Sequence, residues 1–263
     1  ESAKINFGDH LSLKLVERIV NGPVNVCPKT ALNKTDKKLL AIGSILYFAR
    51  EKDVLWGTGT NGKMPRRGDY RFTHLDVRAV RGPLTRKFLQ KTFNITCPKI
   101  YGDPALLIPY FFPEFKKVEN PARDYVFIPH YSEEKLFPKE HYPFVVYPTE
   151  PWDIVIRAIL NSKFVISSSL HGIIIAEAFG IPARYLRVTD NEPLLKYQDY
   201  YLGTNRPSFK YAISIEDALL MQGEPPFKCD LEKLYDAFPF DYWPHTEFNK
   251  PNFKKEDSHE KNT

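Results

Sequence analysis

The chain has 263 residues, 43% apolar and 26% charged, with 13 Gly, 22 Pro and 3 Cys; it can bury a sizeable core, which excludes collagen-like and low-complexity readings. Apolar runs such as Leu106–Pro109 and Ile173–Ala176 are too short to cross a bilayer. The net charge of +5 divides into +10 for residues 1–120 and −5 for 121–263, so the first half attracts anionic partners without choosing among nucleic acid, lipid and phosphorylated substrates.

Asn6-Phe7-Gly8-Asp9 opens a helix whose apolar positions are Leu11, Leu15, Val16 and Ile19, with Asp9 as a candidate cap. Asn21-Gly22-Pro23 stops it. Residues 39–42 and 53–56 read as short buried strands, each emptying into a glycine turn at Gly43-Ser44 and Gly57-Thr58-Gly59. Residues 76–81 alternate as a strand, and Gly82-Pro83 then starts a helix through Leu84, Phe88 and Leu89. Tyr101-Gly102-Asp103-Pro104 forms a loop in which Asp103 shapes a turn, followed by a short apolar segment at 105–108. Charged, proline-containing residues 114–124 read as a linker.

The rhythm then restarts. Strands are expected at 125–130 and 144–147, and a helix at 152–160 capped by Thr149 with Pro151 in its first turn. A strand at 163–166 leads through Ser167-Ser168-Ser169 into a helix from Leu170 to Phe179, ended by Gly180, and a last strand covers 181–186. The aromatic cluster Tyr235, Phe238, Phe240, Tyr242 and Trp243 packs back on the body, and 246–263 reads as a loose polar tail. Strand–helix alternation on both sides of a polar stretch predicts two α/β units, residues 1–118 and 119–245, with a ligand beyond the carboxyl ends of their strands.

The three cysteines, Cys27, Cys97 and Cys229, lie in no metal-ligand spacing and fit a reducing compartment. Neither a zinc motif nor a P-loop nor a nucleophile elbow occurs, and no module for nucleic acid is recognisable. The strongest local signal is Ser167-Ser168-Ser169-Leu170-His171-Gly172. Backbone N–H groups at a helix start can hold phosphate or carboxylate, and His171 in the first turn can shuttle a proton. A serine cap with an incidental histidine fits equally well; Glu177 lies off the face of His171. Asp9 can be a general base or a cap. Arg78 and Arg81 point to opposite faces of one strand, and Arg81, nearest the turn, suits bidentate anion contacts or a surface salt bridge.

Taken together, Asn6-Phe7-Gly8-Asp9, Leu40-Ala41-Ile42-Gly43-Ser44, Trp56-Gly57-Thr58-Gly59, Arg78–Pro83, Tyr101–Ala105 and Ser169-Leu170-His171-Gly172 with Ala176, Gly180, Ile181 and Pro182 resemble the polysaccharide pyruvyl transferase family. The likeness covers about residues 5–207. It implies two Rossmann-like domains facing a cleft, as in B-type glycosyltransferases. It also implies phosphoenolpyruvate as donor substrate, with no cofactor or metal, and a polysaccharide sugar or lipid-linked oligosaccharide as acceptor. The product would be a pyruvate ketal, with phosphate released, in the cytoplasm or at the inner membrane face. His171 would be the acid that protonates the donor, and Asp9 the base for the sugar hydroxyl. Donor phosphate and carboxylate would be held by Ser167, Ser168 and Ser169 with Arg81, Arg187 or Arg206. Asn6, Gly8, Gly57, Thr58, Gly59 and Asp103 would belong to acceptor or cleft loops. The family commonly has Arg immediately before Leu-His-Gly, where this chain has Ser169. An acid at residue 171 calls for a pKa near its ordinary value, about 6.5 or above. A nucleotide-sugar glycosyltransferase and an inactive carbohydrate-binding relative are the competing readings.

Overall fold

The computed structural model describes residues 6–26 and 37–253. Cys27 and the end of the expected tail, 254–263, lie outside the described residues.

Helix α1 spans Phe7–Ile19, and Phe7, Leu11, Leu15, Val16 and Ile19 form its buried stripe. Its cap is Asn6, whose Oδ1 accepts from the Gly8 N–H at 3.0 Å, and not Asp9. Capping from residue 6 leaves the Asp9 carboxylate in the first turn, where the helix dipole favours it.

Strands β1 (Leu39–Leu40), β2 (Val54–Trp56) and β3 (Asp76–Ala79) form a parallel sheet in that order. Helix α2 (Pro83–Phe93) follows β3, with Pro83 in its first turn, and ends at Asn94 in the left-handed region. A 3-10 turn at Pro104–Leu107 leads into the short α3 (Ile108–Phe111).

A second parallel sheet has the order β4 (Arg123–Ile128), β5 (Ser162–Ser167), β6 (Ala183–Leu186) and β7 (Tyr211–Ala212). Helices α4 (Trp152–Leu160) and α5 (Leu170–Ala178) flank β5 in the chain. Residues 187–234, for which the sequence offered no elements beyond this point, hold α6 (Leu195–Gly203), β7, α7 (Ile215–Met221) and most of α8 (Leu231–Asp236). The architecture is mixed α/β with two separate parallel sheets.

Three expectations change. The strand at 144–147 is reduced to one bridge, Val145 to Phe127, because Pro143 and Pro148 flank it and carry no N–H for a ladder. Thr149 does not cap α4; its hydroxyl donates to Glu134 at 2.5 Å, and Pro151 holds the cap position. The charged segment 114–124 is strapped down, with Phe115 buried and the Val118 N–H donating to the Leu160 carbonyl.

One apolar cluster takes in α1, Ala41, Ile42, Trp56, residues 105–108, parts of β4 and β5, α4, α5 and Phe238. The Phe7 N–H donates to Pro148 O at 2.7 Å, so the first helix is tied to the second half. Trp56 Nε1–H donates to Leu234 O at 2.8 Å, which returns α8 to the first sheet. The stretch expected to be loose from 246 is anchored over its described part: Phe248 and Phe253 pack on the core, and Asn249 bonds to the end of α1. Aromatic side chains within a polar sequence supply that anchorage. Among the described residues no helix is long and apolar enough to cross a membrane.

Candidate active site

The carboxyl ends of strands in both sheets, with the loops beyond them, carry Gly57-Thr58-Gly59, Arg81, Ser167-Ser168-Ser169 and Arg187, as parallel sheets favour. Asn6, Gly8 and Asp9 lie instead at the start of α1, and Arg206 follows α6. β5 ends in Ser167, and α5 begins three residues later with His171 in its first turn. The His171 ring lies against Gly8 of α1: a Cβ added to Gly8 would sit 2.2 Å from His171 Nδ1. A Cβ on Gly43, at the end of the first sheet's β1, would be 3.9 Å from His171 Cε1. Phe7 meets the ring edge-on at 6.2 Å between centroids.

Asp103 is the charged neighbour of this ring. Its Oδ1 accepts from the Ala105 N–H at 3.0 Å and so caps the turn at 104–107. Its Oδ2 lies 3.9 Å from His171 Nε2. Neither Oδ2 nor Nε2 has a hydrogen-bond partner among the described residues, and both are buried. Burial lowers the His171 pKa, against the raising effect of Asp103 and then Asp9; Arg81 and Lys196 lower it further. Burial likewise raises the Asp103 pKa. The expectation of a pKa at or above the ordinary value therefore fails for the unliganded protein, because desolvation outweighs two carboxylates. Bound anion would reverse that balance.

Arg81 is fully buried at the end of β3, and its partners are all internal. Nη1 donates to Ser44 Oγ, Nη2 donates to Thr60 O at 2.7 Å, and Nη2 stands 3.3 Å from Asp199 Oδ2. Only Nε lacks a partner among the described residues. Asp199 also accepts from Leu84 N–H at 2.8 Å and from the Thr85 hydroxyl at 2.6 Å, so it closes the open start of α2. Arg81 is thus a fixed internal cation rather than a side chain reaching outward. Gly57 and Gly59 spend their N–H groups on Ala79 and Gly43, and Thr58 Oγ1–H donates to Gly43 O at 2.7 Å. A Cβ at Gly59 would strike the Arg81 guanidinium at 2.4 Å. This glycine loop makes room for arginine, and the amides of both its glycines are already spent.

The serine cluster behaves differently from expectation. Ser167 Oγ–H is engaged by Ile128 O and Ser169 O at 2.8 Å each, and Ser168 Oγ–H donates to Glu133 at 2.6 Å. The amides of Ser168 and Ser169 point to Ile128 O. Ser167 and Ser168 are consequently bound up inside the fold, and the Ser169 hydroxyl does not cap α5. Arg206 is likewise engaged internally. Both of its Nη atoms donate to Glu177 at 2.8 Å, six residues along α5 from His171, with Tyr201 beneath the guanidinium. Arg187 follows β6, pairs with Asp190 at 2.8 Å and lies over Tyr211, making no contact with His171 among the described residues.

A second polar cluster, which the sequence did not single out, stands beside the serines. Glu192 lies 2.5 Å from both Lys63 Nζ and Lys196 Nζ, and 3.7 Å from His130 Nε2. Glu133 accepts from the hydroxyls of Ser168 and Thr189. Burial pushes the His130 pKa down to about 4, with help from Lys196. The local signal for this cluster was slight: Lys196 and Asp199 within a tyrosine-rich segment. Surface hollows of about 520 and 610 Å³, lined respectively by residues such as Arg67 and Arg71 and by Lys14, Arg18 and Trp152, hold none of these residues. Among the described residues no group of three or more His, Cys, Asp or Glu is placed to hold a metal ion.

A family model described as polysaccharide pyruvyl transferase matches residues 6–191. The chain is 27% identical over 218 residues to an uncharacterized protein of Acanthamoeba polyphaga mimivirus, covering 78% of this chain and 74% of that one. It is 28% identical over 214 residues to the succinoglycan biosynthesis protein ExoV of Rhizobium meliloti (strain 1021), covering 76% of this chain and 62% of the relative. No solved structure matches it.

Proposed function

The chain belongs to the polysaccharide pyruvyl transferase family, and from that premise we propose that it transfers a pyruvyl group from phosphoenolpyruvate to a sugar of a polysaccharide or its lipid-linked precursor. The observation that carries this reading is the His171–Asp103 pair, buried, 3.9 Å apart and unsatisfied at the facing atoms, where both sheets end. The relative named for succinoglycan biosynthesis supports a glycan acceptor.

The chemistry begins with a proton. His171, whose pKa burial lowers in the unliganded site, takes up a proton as the anionic donor arrives and its charges replace water. The imidazolium gives that proton to the methylene carbon of the enol phosphate, and the adjacent carbon becomes oxocarbenium-like. A sugar hydroxyl attacks there, phosphate leaves, and a second hydroxyl closes the ketal. Asp9, whose charge acts on the His171 ring, accepts a hydroxyl proton. The first-turn amides of α5, from Leu170 to Gly172, face the donor's charge with the helix dipole behind them. Arg81 adds fixed positive potential without leaving its internal partners. The two α/β units act as acceptor side and donor side of a cleft, at the cytoplasmic face of the membrane where lipid-linked acceptors are built.

Incubation with phosphoenolpyruvate and a panel of oligosaccharide acceptors tests the reading, with phosphate release and a pyruvate ketal followed by NMR. Ketal formation supports it. Sugar transfer from a nucleotide-sugar with no product from phosphoenolpyruvate would replace it.

A further inference from the structure

The cluster of Lys63, Glu192, Lys196 and His130 has no role in the steps above, yet it lies beside them. Lys63 belongs to the loop that follows Gly57-Thr58-Gly59, and Gly62 in that loop lies close enough that an added Cβ would be 3.2 Å from Leu195 Cβ. Lys196 is the next residue, on α6. The two ammonium groups therefore come from different halves of the chain and meet at one carboxylate, Glu192, at 2.5 Å each. Lys196 is almost wholly buried, whereas the side chain of Lys63 is 42% exposed. His130, the third neighbour, bonds to Ser132 through Nδ1. Glu133, the other buried carboxylate here, is committed to hydroxyl groups.

Two cations facing one carboxylate leave an excess positive charge, buried at Lys196 and half-exposed at Lys63, which an anion of higher charge than a carboxylate satisfies better. The position is tied to the catalytic loop: Tyr197 OH donates to Ser168 O at 2.6 Å, and the charge of Lys196 acts on His171 and is felt together with that of Arg81. Glu192 sits on the connection 187–194 between β6 and α6, outside both elements.

We propose that Lys63 and Lys196 form the anion-holding subsite for the donor's phosphate, and that Glu192 fills it as an internal carboxylate until the donor exchanges with it. The subsite joins the two halves of the chain around the donor. The identity of that donor rests on the function proposed above.

Isothermal titration of the full chain with phosphoenolpyruvate, inorganic phosphate and UDP separates the two claims, using the parent, K63M, K196M and E192Q. Folding of each is checked by circular dichroism. K63M, altered at a half-exposed side chain, is expected to weaken phosphoenolpyruvate about fivefold or more, and K196M about tenfold or more. E192Q is expected to tighten it about threefold or more, a gain that a merely structural glutamate would not produce. Phosphoenolpyruvate bound with Kd within twofold of the parent in both K63M and E192Q overturns the subsite and leaves the donor assignment standing. UDP bound in place of phosphoenolpyruvate, and weakened by K63M, overturns the donor and keeps the subsite. A parent that binds none of the three overturns both.

Discussion

The imidazole of His171 occupies the space that a side chain at residue 8 would need, for a Cβ on Gly8 would lie 2.2 Å from His171 Nδ1. Glycine at residue 8 is therefore a requirement of the ring's position, since alanine would otherwise improve the first turn of α1. In Gly8→Ala the ring must shift, and a displacement of that order costs about 10²-fold in rate. Overpacking costs a further 1–3 kcal/mol, roughly. Adding His171→Ala should recover most of the stability lost by Gly8→Ala, a non-additivity read from urea unfolding of the two single variants and the double. Parent-like turnover in Gly8→Ala would show that the ring's placement does not matter to the reaction.

His171→Gln keeps a hydrogen-bonding side chain of similar reach but cannot protonate carbon. Turnover per folded molecule should drop by roughly 10²–10⁴, with donor Kd nearly unchanged. Single-turnover rates and melting temperatures measured on the same preparation decide the matter. A rate within threefold of the parent ends the acid assignment.

Asp103→Asn preserves the oxygen that accepts from Ala105 N–H and removes only the charge. That charge raises the His171 pKa, so its loss lowers the pKa further. Activity that depends on protonated His171 is lost as pH rises through that pKa; in Asp103→Asn the falling limb of kcat against pH should move to lower pH, with turnover at pH 7 down by about tenfold. An unmoved limb would confine Asp103 to capping the turn.

Arg81 and Asp199 are both fully buried and paired at 3.3 Å. Arg81→Met strands a carboxylate that also holds the start of α2, at a cost of about 3–5 kcal/mol. Arg81→Met with Asp199→Asn should cost less than the sum of the singles. Denaturant midpoints on the four proteins test this. A loss below about 1 kcal/mol for Arg81→Met would contradict a structural role for the pair.

His130 carries a pH signature of its own. Its folded pKa, about 4, lies below the unfolded value of about 6.5, so the unfolded chain binds the extra proton first. The stability this adds is fully present above pH 6.5 and is lost as pH falls through about 4, amounting to about 3 kcal/mol in all. Between pH 7.5 and 4.5 the parent should therefore lose about 2 kcal/mol more than His130→Gln. Equal slopes for the two proteins would place His130 in a more solvated setting than its burial implies.

The glycine-terminated strands β1 and β2, the strand β5, the helices α1, α4 and α5, and the family likeness were legible in the sequence. Each rests on local regularities: apolar residues at strand or helix spacing, and turns that only certain residues permit. Asn6 in place of Asp9 as the cap of α1 shows the limit of that resolution, since both residue types accept from a free amide and only backbone geometry chooses. At the site, His171 was found by motif and Asp103 was noticed as a turn residue, but nothing local reveals that their side chains face each other.

Local order determined that this chain alternates strand and helix and that it carries a histidine at a helix start beside glycine-rich loops. Only the tertiary structure decided which charges stand beside His171 and which pair with one another as braces. Segment 195–203 was unreadable because Lys196 and Asp199 are buried, and apolar periodicity records burial only when apolar groups are the ones buried. The burial of Asp199 is compensated by Arg81, far away in sequence, and that of Lys196 by Glu192, a pair at helical spacing that the sequence cannot tell from an exposed one. Ser167 and Arg206 were misjudged as outward-facing for the same reason: Ile128 O and Glu177 are their partners in the fold. A polar side chain's role is set by whichever partner the folded chain brings within about 3 Å, and that distance has no signature in the order of residues.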